Sequence, residues 1–449
     1  MRKGLKEIFR GSCAMALVLA ATAGSASAAG FALRESSAAQ MGTAFAGSGS
    51  LADDLSTIFY NPAGMTYLRG NQAEFVGTGI MPNIHFEGSG FSPTFGPGGA
   101  FAGFAPSSGD LGGNGADSAF VPSLFGMVEL TPDLRLGLGV TAPFGLHTDY
   151  NPTWVGRYLA TDSEVQSTDI NPSLAYRVNR WLSIGGGVSA QHFDANLNRN
   201  VNLTAATGGA LGPLPDANLR IHGDSWAFGY NFGALVEPLA GTRVGVAYRS
   251  KLEHRIDGGA DVNLPALPAP VVGALTAGGL SSSHAHVGLD TPDSLLVSLT
   301  QAITPQLKLV SDFEWTGWGN VKTLTVNRDN NTPLLLAFNN RDAVFASLGA
   351  VYTLNPTWTF RIGAGYDQTP VTNEFRTAIL PDQDRYMLAA GVGYNLTENV
   401  RLDFGYLHFF LPDAGISNSA NAVSPTGEVL QGKFSLDADE VALSLKMAF

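Results

Sequence analysis

The stretch Val441-Ala442-Leu443-Ser444-Leu445-Lys446-Met447-Ala448-Phe449 alternates apolar residues with small or polar ones up to a last phenylalanine. A period of two marks a strand with two unlike faces. The same rhythm runs upstream. Leu134, Leu136, Leu138 and Val140 alternate with Arg135, Gly137, Gly139 and Thr141. Trp358, Phe360 and Ile362 alternate with Thr359, Arg361 and Gly363, and Val400, Leu402, Phe404 and Tyr406 follow the same rule. A soluble sandwich also alternates, so the rhythm by itself leaves the surroundings of the strands open. A terminal strand that ends on an aromatic is the pattern of bacterial outer-membrane barrels, and it makes Leu443 a lipid-facing position.

The connections separate the two surroundings. Six are tight: Thr131-Pro132-Asp133, Asn179-Arg180, Pro238 to Gly241, Thr304-Pro305, Asn355-Pro356 and Thr397-Glu398-Asn399. Between them lie long polar or glycine-rich stretches, at roughly 87–116, 143–164, 196–221, 257–290, 319–340, 368–382 and 411–433. Strict alternation of short and long connections predicts tight periplasmic turns and long external loops. So many long loops are improbable in a soluble domain. The count predicts an all-β transmembrane antiparallel barrel of about fourteen strands over 71–449. Aromatics at strand ends, Trp181, Trp315, Trp318, Tyr352, Trp358, Tyr394 and Tyr406, are candidates for the two interfacial girdles.

Composition agrees. Of 449 residues only 14% are charged, 54 are glycine, and mean hydropathy is slightly positive. No helix-length apolar run follows the first thirty residues, so transmembrane helices are not expected. The chain begins with a secretory pattern: basic Arg2, Lys3, Lys6 and Arg10, an apolar run from Ala14 to Ala23, and Ala26-Ser27-Ala28 as the cleavage site. Removal of 1–28 takes away four basic residues and one acidic one, so the net charge of −12 becomes −15. An acidic secreted chain argues against nucleic acid as a partner. The single cysteine, Cys13, leaves with the leader, so no disulfide or thiol chemistry is expected.

Residues 29–70 do not alternate. Ala38, Met41 and Phe45, then Leu55, Ile58 and Phe59, fall at helical spacings. Asp53 and Asp54 stand ahead of the second face, where carboxylates suit exposed N–H groups. In Asn61-Pro62-Ala63-Gly64, Asn61 suits a cap, Pro62 a first helical position and Gly64 a stop. A segment this short cannot bury a core of its own. It is expected to fill the lumen as a plug rather than to form a separate small domain.

These residues, together with several others, carry a resemblance. Ala29-Gly30-Phe31, Ala52-Asp53-Asp54, the Asn61-Pro62-Ala63 motif, Ala247 to Ser250, Asn355 to Arg361 and Ile379 to Arg385 are similar to the FadL family of outer-membrane transporters for long-chain fatty acids and other hydrophobic compounds. The resemblance implies a fourteen-strand barrel with an N-terminal hatch, and a monomer. It implies an external hydrophobic groove, a tighter inner pocket to which the plug contributes, and sideways release through a kink in the third strand. Matched here, the kink falls at Pro143-Phe144-Gly145-Leu146. The residues support this on their own, because Pro143 cannot donate to a ladder and Gly145 weakens a strand. The inner pocket's basic positions match Arg199, with Leu197 beside it, and Arg341, while Phe31 and Leu33 of the plug become candidate lining.

Four functions follow for testing: passive uptake of long-chain fatty acids, uptake of aromatic or alkane hydrocarbons through the same barrel, a general porin, and a structural or adhesin barrel. Expected partners are hydrophobic small molecules, outer-membrane lipid and lipopolysaccharide, and the barrel-assembly machinery through Phe449. Enzyme signatures are thin. Gly137 to Ala142 matches a dinucleotide pattern but runs into Pro143 instead of a helix. His284 and His286 lack a third ligand nearby. No enzyme, cofactor or metal is expected.

Overall fold

The computed structural model describes residues 30–329, 331–417 and 427–449. The leader expected at 1–28 lies outside them. The fold is a closed antiparallel barrel of 14 strands. They are β1 (Gln72–Phe95), β2 (Ala119–Thr131), β3 (Leu134–Thr141, resumed at Gly145–Asp149), β4 (Asp162–Arg177), β5 (Leu182–Val201), β6 (Ala217–Leu239) and β7 (Thr242–Arg249, resumed at Leu252–Asn263). Then come β8 (Ser283–Thr291, resumed at Ser294–Ala302), β9 (Leu307–Thr316), β10 (Ala343–Thr353), β11 (Trp358–Asp367), β12 (Arg385–Asn395), β13 (Val400–Phe410) and β14 (Val429–Ala448). β1 and β14 pair from Gln72↔Ala448 to Phe91↔Val429 and close the ring. Closure removes the free edges that lipid could not satisfy.

The alternation read from the sequence sorts the two faces. Phe75, Leu138, Phe228, Leu348, Ile362, Leu388 and Leu443 are exposed on the outside, whereas Ser173, Gln191, Asp312, Arg361 and Asp403 are buried within. Trp181, Tyr352, Trp358 and Tyr406 are exposed, as girdle residues should be. Trp318 is not one of them. It is 1% exposed and packs inside the lumen against Phe31. Several stretches expected as loops contain strands. The first strand runs on to Phe95 and pairs with Phe101–Pro106, and Thr323–Arg328 pairs with Asn331–Ala337. The strands of each hairpin pair with each other, and Asn327 and Arg328 also pair with His286 and Ala285 of β8, which the mixed polarity of the stretches conceals.

The N-terminal segment lies inside. Its helices are shorter than the spacing predicts: α1 spans Ala38–Met41 and α2 spans Thr57–Tyr60. Phe45 is not helical, because Ala44 and Phe45 turn the chain at positive φ. Asn61 caps a 3-10 helix, Pro62–Tyr67, by accepting from the Ala63 N–H, with Pro62 in its first turn. Gly64 does not stop that helix. A Cβ there would stand 2.0 Å from Thr57 Oγ1, so it permits close packing instead.

Charge and hydrogen bonding tie this segment to the wall. Asp312 accepts from the N–H groups of Gly47 and Ser48 at 2.8 and 3.0 Å. Arg361 joins Asp53 at 3.0 Å and Asp403 at 2.7 Å. Asp54 accepts from Ser37 and from the Ser56 N–H. The Asn61 amide donates to Gly49 O inside the plug and to Ala234 O on β6. All of these side chains but the part-exposed Asp53 are buried, so each would be costly without its partner. Glycines on the lumen face let the two backbones meet. A Cβ on Gly363 would lie 2.0 Å from Thr43 O, and one on Gly233 2.0 Å from Asn61 Oδ1. The Gly137 of the dinucleotide-like pattern faces Ile58 and Met65 of the plug in the same way.

Gly363→Val should therefore displace the plug while leaving the outer wall intact. Planar-bilayer recording should show a rise in ion conductance over the wild type. Wild-type conductance would contradict this account of the seal.

Candidate functional site

Above the plug, towards the external loops, lies about 860 Å³ of open space. β5 to β8 contribute Phe193, Leu197, Ile221, Ile256 and Leu289, and the Thr323–Arg328 and Asn331–Ala337 hairpin contributes Leu324, Val326 and Leu336. Ile379 and Leu380, just ahead of β12, close one side. Phe31 and Leu146 reach it from the plug and from the resumed part of β3. Its apolar wall is that of a small-molecule site.

The floor is aromatic. The Phe31 ring centroid lies 4.7 Å from that of Trp318, 5.7 Å from Phe144 and 6.4 Å from Phe193. Phe31 is held there by main chain. The Leu33 N–H donates to Pro143 O at 2.8 Å and the Gly145 N–H donates to Phe31 O at 2.9 Å. Ala32 and Phe144 are opposed in an antiparallel bridge between these bonds. Farther back, the Gly30 N–H donates to Asp382, which also accepts from Thr369 and pairs with Arg385.

The break in β3 follows from its sequence. Pro143 offers no N–H, and regular pairing stops at Thr141 and resumes at Gly145. The Phe144 N–H finds Ser167 Oγ instead, at 2.8 Å. Pairing of β2 with β3 ends at Leu124↔Val140, so Ala119 to Ser123 keep partners only on β1. Beyond the break, Gly145–Asp149 pairs with β4. A seam is thus left between β2 and the resumed part of β3. Leu33 covers it from inside, packed with Ile80, Ala119, Val121 and Ala142.

The structure brings Phe31, Leu146 and Leu197 together at the cavity, with Leu33, Pro143, Phe144 and Gly145 at the seam below. Arg199 is 6% exposed and lines a smaller annex of about 260 Å³. The annex shares Leu197, Ile221, Leu336 and Ile379 with the main cavity. Glu428 acts on the Arg199 charge from nearby. Arg341 is placed elsewhere. Its side chain is 48% exposed and meets Thr369 O and Asp384. The residue handed to the cavity is its neighbour Asn340, 1% exposed, whose two amide atoms have no protein partner. An asparagine beside an arginine gives no sequence signal for this, since the local turn decides which of the two points inward. Asp53, Asp54, Asn61, Pro62 and Ala63 anchor the plug and do not line the cavity. His284 pairs with Asp257 and Asp329, and among the described residues no group of three or more metal-ligating side chains occurs.

A closed barrel with a lipid-facing apolar wall, an inner plug and an apolar inner cavity defines a channel for hydrophobic compounds in the outer membrane. The comparisons agree. Residues 19–449 match the family of outer membrane protein transport proteins (OMPP1/FadL/TodX), and the chain belongs to that family. It is 29% identical to a long-chain fatty acid transport protein of Salmonella typhi over 90% of this chain and 92% of that one. It is 28% identical to outer membrane protein P1 of Haemophilus influenzae, over 90% of each chain. The crystal structure of a Pseudomonas aeruginosa FadL homologue, 26% identical, superposes with a TM-score of 0.85 over 94% of this chain and all of that one. The toluene transporter TodX of Pseudomonas putida, at 17% identity, TM-score 0.67 and coverage of 92% and 99%, shares the fold. The family is one of transporters and not of enzymes.

Leu197→Trp should fill the cavity and weaken binding of a sixteen-carbon ligand by about tenfold, ~1.4 kcal/mol. Titration of the purified barrel, with its heat stability as control, checks this. Unchanged affinity would show that ligand binds elsewhere.

Proposed function

We propose that the barrel takes up long-chain fatty acids passively, holding them in the cavity above Phe31 and releasing them sideways at the β2–β3 seam. The observation that carries the first part is the unpartnered Asn340 amide, buried in an otherwise apolar wall beside the annex that holds Arg199. The chain's likeness to long-chain fatty acid transport proteins supports the same cargo.

The energetics divide the labour. Burying about sixteen methylenes, at about 0.8 kcal/mol each, yields roughly 13 kcal/mol gross. The wall supplies this for any long hydrocarbon. A carboxylate without partners is costly in such a place. Asn340 and Arg199 therefore select and orient rather than hold. The seam supports the second part of the proposal. Phe31 floors the cavity and Leu33, two residues on, covers the seam, so one shift of this short segment uncovers both.

The test compares oleate with hexadecane. Arg199→Met with Asn340→Leu removes charge-assisted contacts of about 1.5–3 kcal/mol, so oleate affinity should fall at least about tenfold. Hexadecane affinity should stay within about twofold. Arg341→Ala alone should change neither ligand, because its guanidinium stands outside the cavity. Equal losses for both ligands, or none for oleate, would move the cargo to hydrocarbons.

A further inference from the structure

Beneath Phe31 lies a second space of about 740 Å³. Phe31 lines only the upper cavity and Phe144 only the lower one, so their ring contact forms the partition. Leu33 and Pro143 place the lower space against the seam. Its chemistry differs from that of the upper cavity, because Arg34, Arg249, Glu314 and Asn231 all reach it. Arg34 is neutralised by a close ion pair with Glu314. Asn231 is not matched in this way. It is 2% exposed, and Asn171 donates to its Oδ1 at 3.2 Å, which fixes the amide orientation. Its Nδ2 has no partner in the protein. Burying an unpaired donor costs about 1–3 kcal/mol.

Asn231 and Arg249 are direct cross-strand partners of β6 and β7. Such neighbours carry Cβ atoms about 4.5–5.5 Å apart on one face, a spacing that two oxygens of one carboxylate can bridge. The Arg249 guanidinium donates to Phe59 O at 2.9 Å, forms an ion pair with the buried Asp169 at 3.4 Å and meets Ser189 at 3.3 Å.

We propose that this lower chamber is a second ligand site, in which Asn231 and Arg249 take the carboxylate of a fatty acid after it leaves the upper cavity. The proposal rests on the fatty-acid reading above. An anion that left Arg199 and Asn340 for the seam would otherwise cross the aromatic floor with no partner, at high cost. A donor pair just below that floor shortens the unpartnered stretch. An uncharged hydrocarbon gains nothing from it.

The experiment pairs equilibrium binding with uptake, in wild type, Asn231→Leu and Arg249→Met. In both variants oleate uptake should fall at least about fivefold while equilibrium oleate binding stays within about twofold. Hexadecane uptake should be unchanged. Wild-type crystals soaked in brominated octanoate supply a readout independent of the variants' folding. A bromine site should appear below Phe31, with the carboxylate at Asn231 Nδ2. Undiminished oleate uptake in both variants, parallel loss of oleate and hexadecane, or bromine confined above Phe31 would each overturn the second site. If the wild type itself shows no preference for oleate, the fatty-acid reading falls and this proposal with it. If the wild type prefers oleate and the variants do not matter, the second site alone fails.

Discussion

Two main-chain hydrogen bonds, Leu33 N–H to Pro143 O and Gly145 N–H to Phe31 O, fasten the start of the plug to the interrupted third strand. A barrel in lipid must pair its backbone groups within the protein. At Pro143 the ladder cannot continue, and the freed groups turn inward. The plug supplies their partners. The defect in the wall and the position of Phe31 are therefore one feature. Whatever moves this short segment alters the cavity floor and the seam cover together.

The rest of the plug is held differently. Asp53, Asp54 and Asn61 sit in networks with several partners each, and Asp312 receives two plug N–H groups. Lumenal glycines bring plug and wall into backbone contact at several points. Buried charge pairs of this kind resist separation, because breaking one strands its partner. By contrast, the first residues depend on two β-bridge bonds, the Gly30–Asp382 bond and ring packing. Local opening favours such thinly tied segments. The architecture thus joins a fixed stopper to a lightly held tip.

Much of this was readable in the residues. Strict period two along Leu134 to Val140 and Val400 to Tyr406, with alternating short and long connections, specifies a barrel because one face must meet lipid. Pro143, which offers no N–H, stands where regular pairing of the third strand stops, between Thr141 and Gly145. The misses share a cause. Trp318 looked like a girdle residue because an aromatic at a strand end has the same spacing whether it faces lipid or lumen. Leu324, Val326 and Leu336 lie in a stretch read as loop, yet they form cavity wall. Arg341 drew attention by its charge, while Asn340, which faces the cavity, did not. Asn231 is one polar residue among many on the lumen face of β6. Its unpartnered amide is a property of packing and not of pattern.

The central claim is that the tip of the plug gates the path from cavity to seam. Ala32 and Phe144 face each other as a pair that makes no hydrogen bonds of its own, flanked by the two bonds above. Such pairs have Cα atoms about 4.5 Å apart, within the range a disulfide spans. The sequence holds one cysteine, in the expected leader, so Ala32→Cys with Phe144→Cys should form a single defined cross-link. The decisive measurement is oleate uptake by this variant, oxidised and then reduced. The account predicts loss of uptake on oxidation, recovery on reduction, and equilibrium oleate binding that is the same in both states. Uptake that continues with the disulfide closed would contradict it, and the route would then bypass the plug tip.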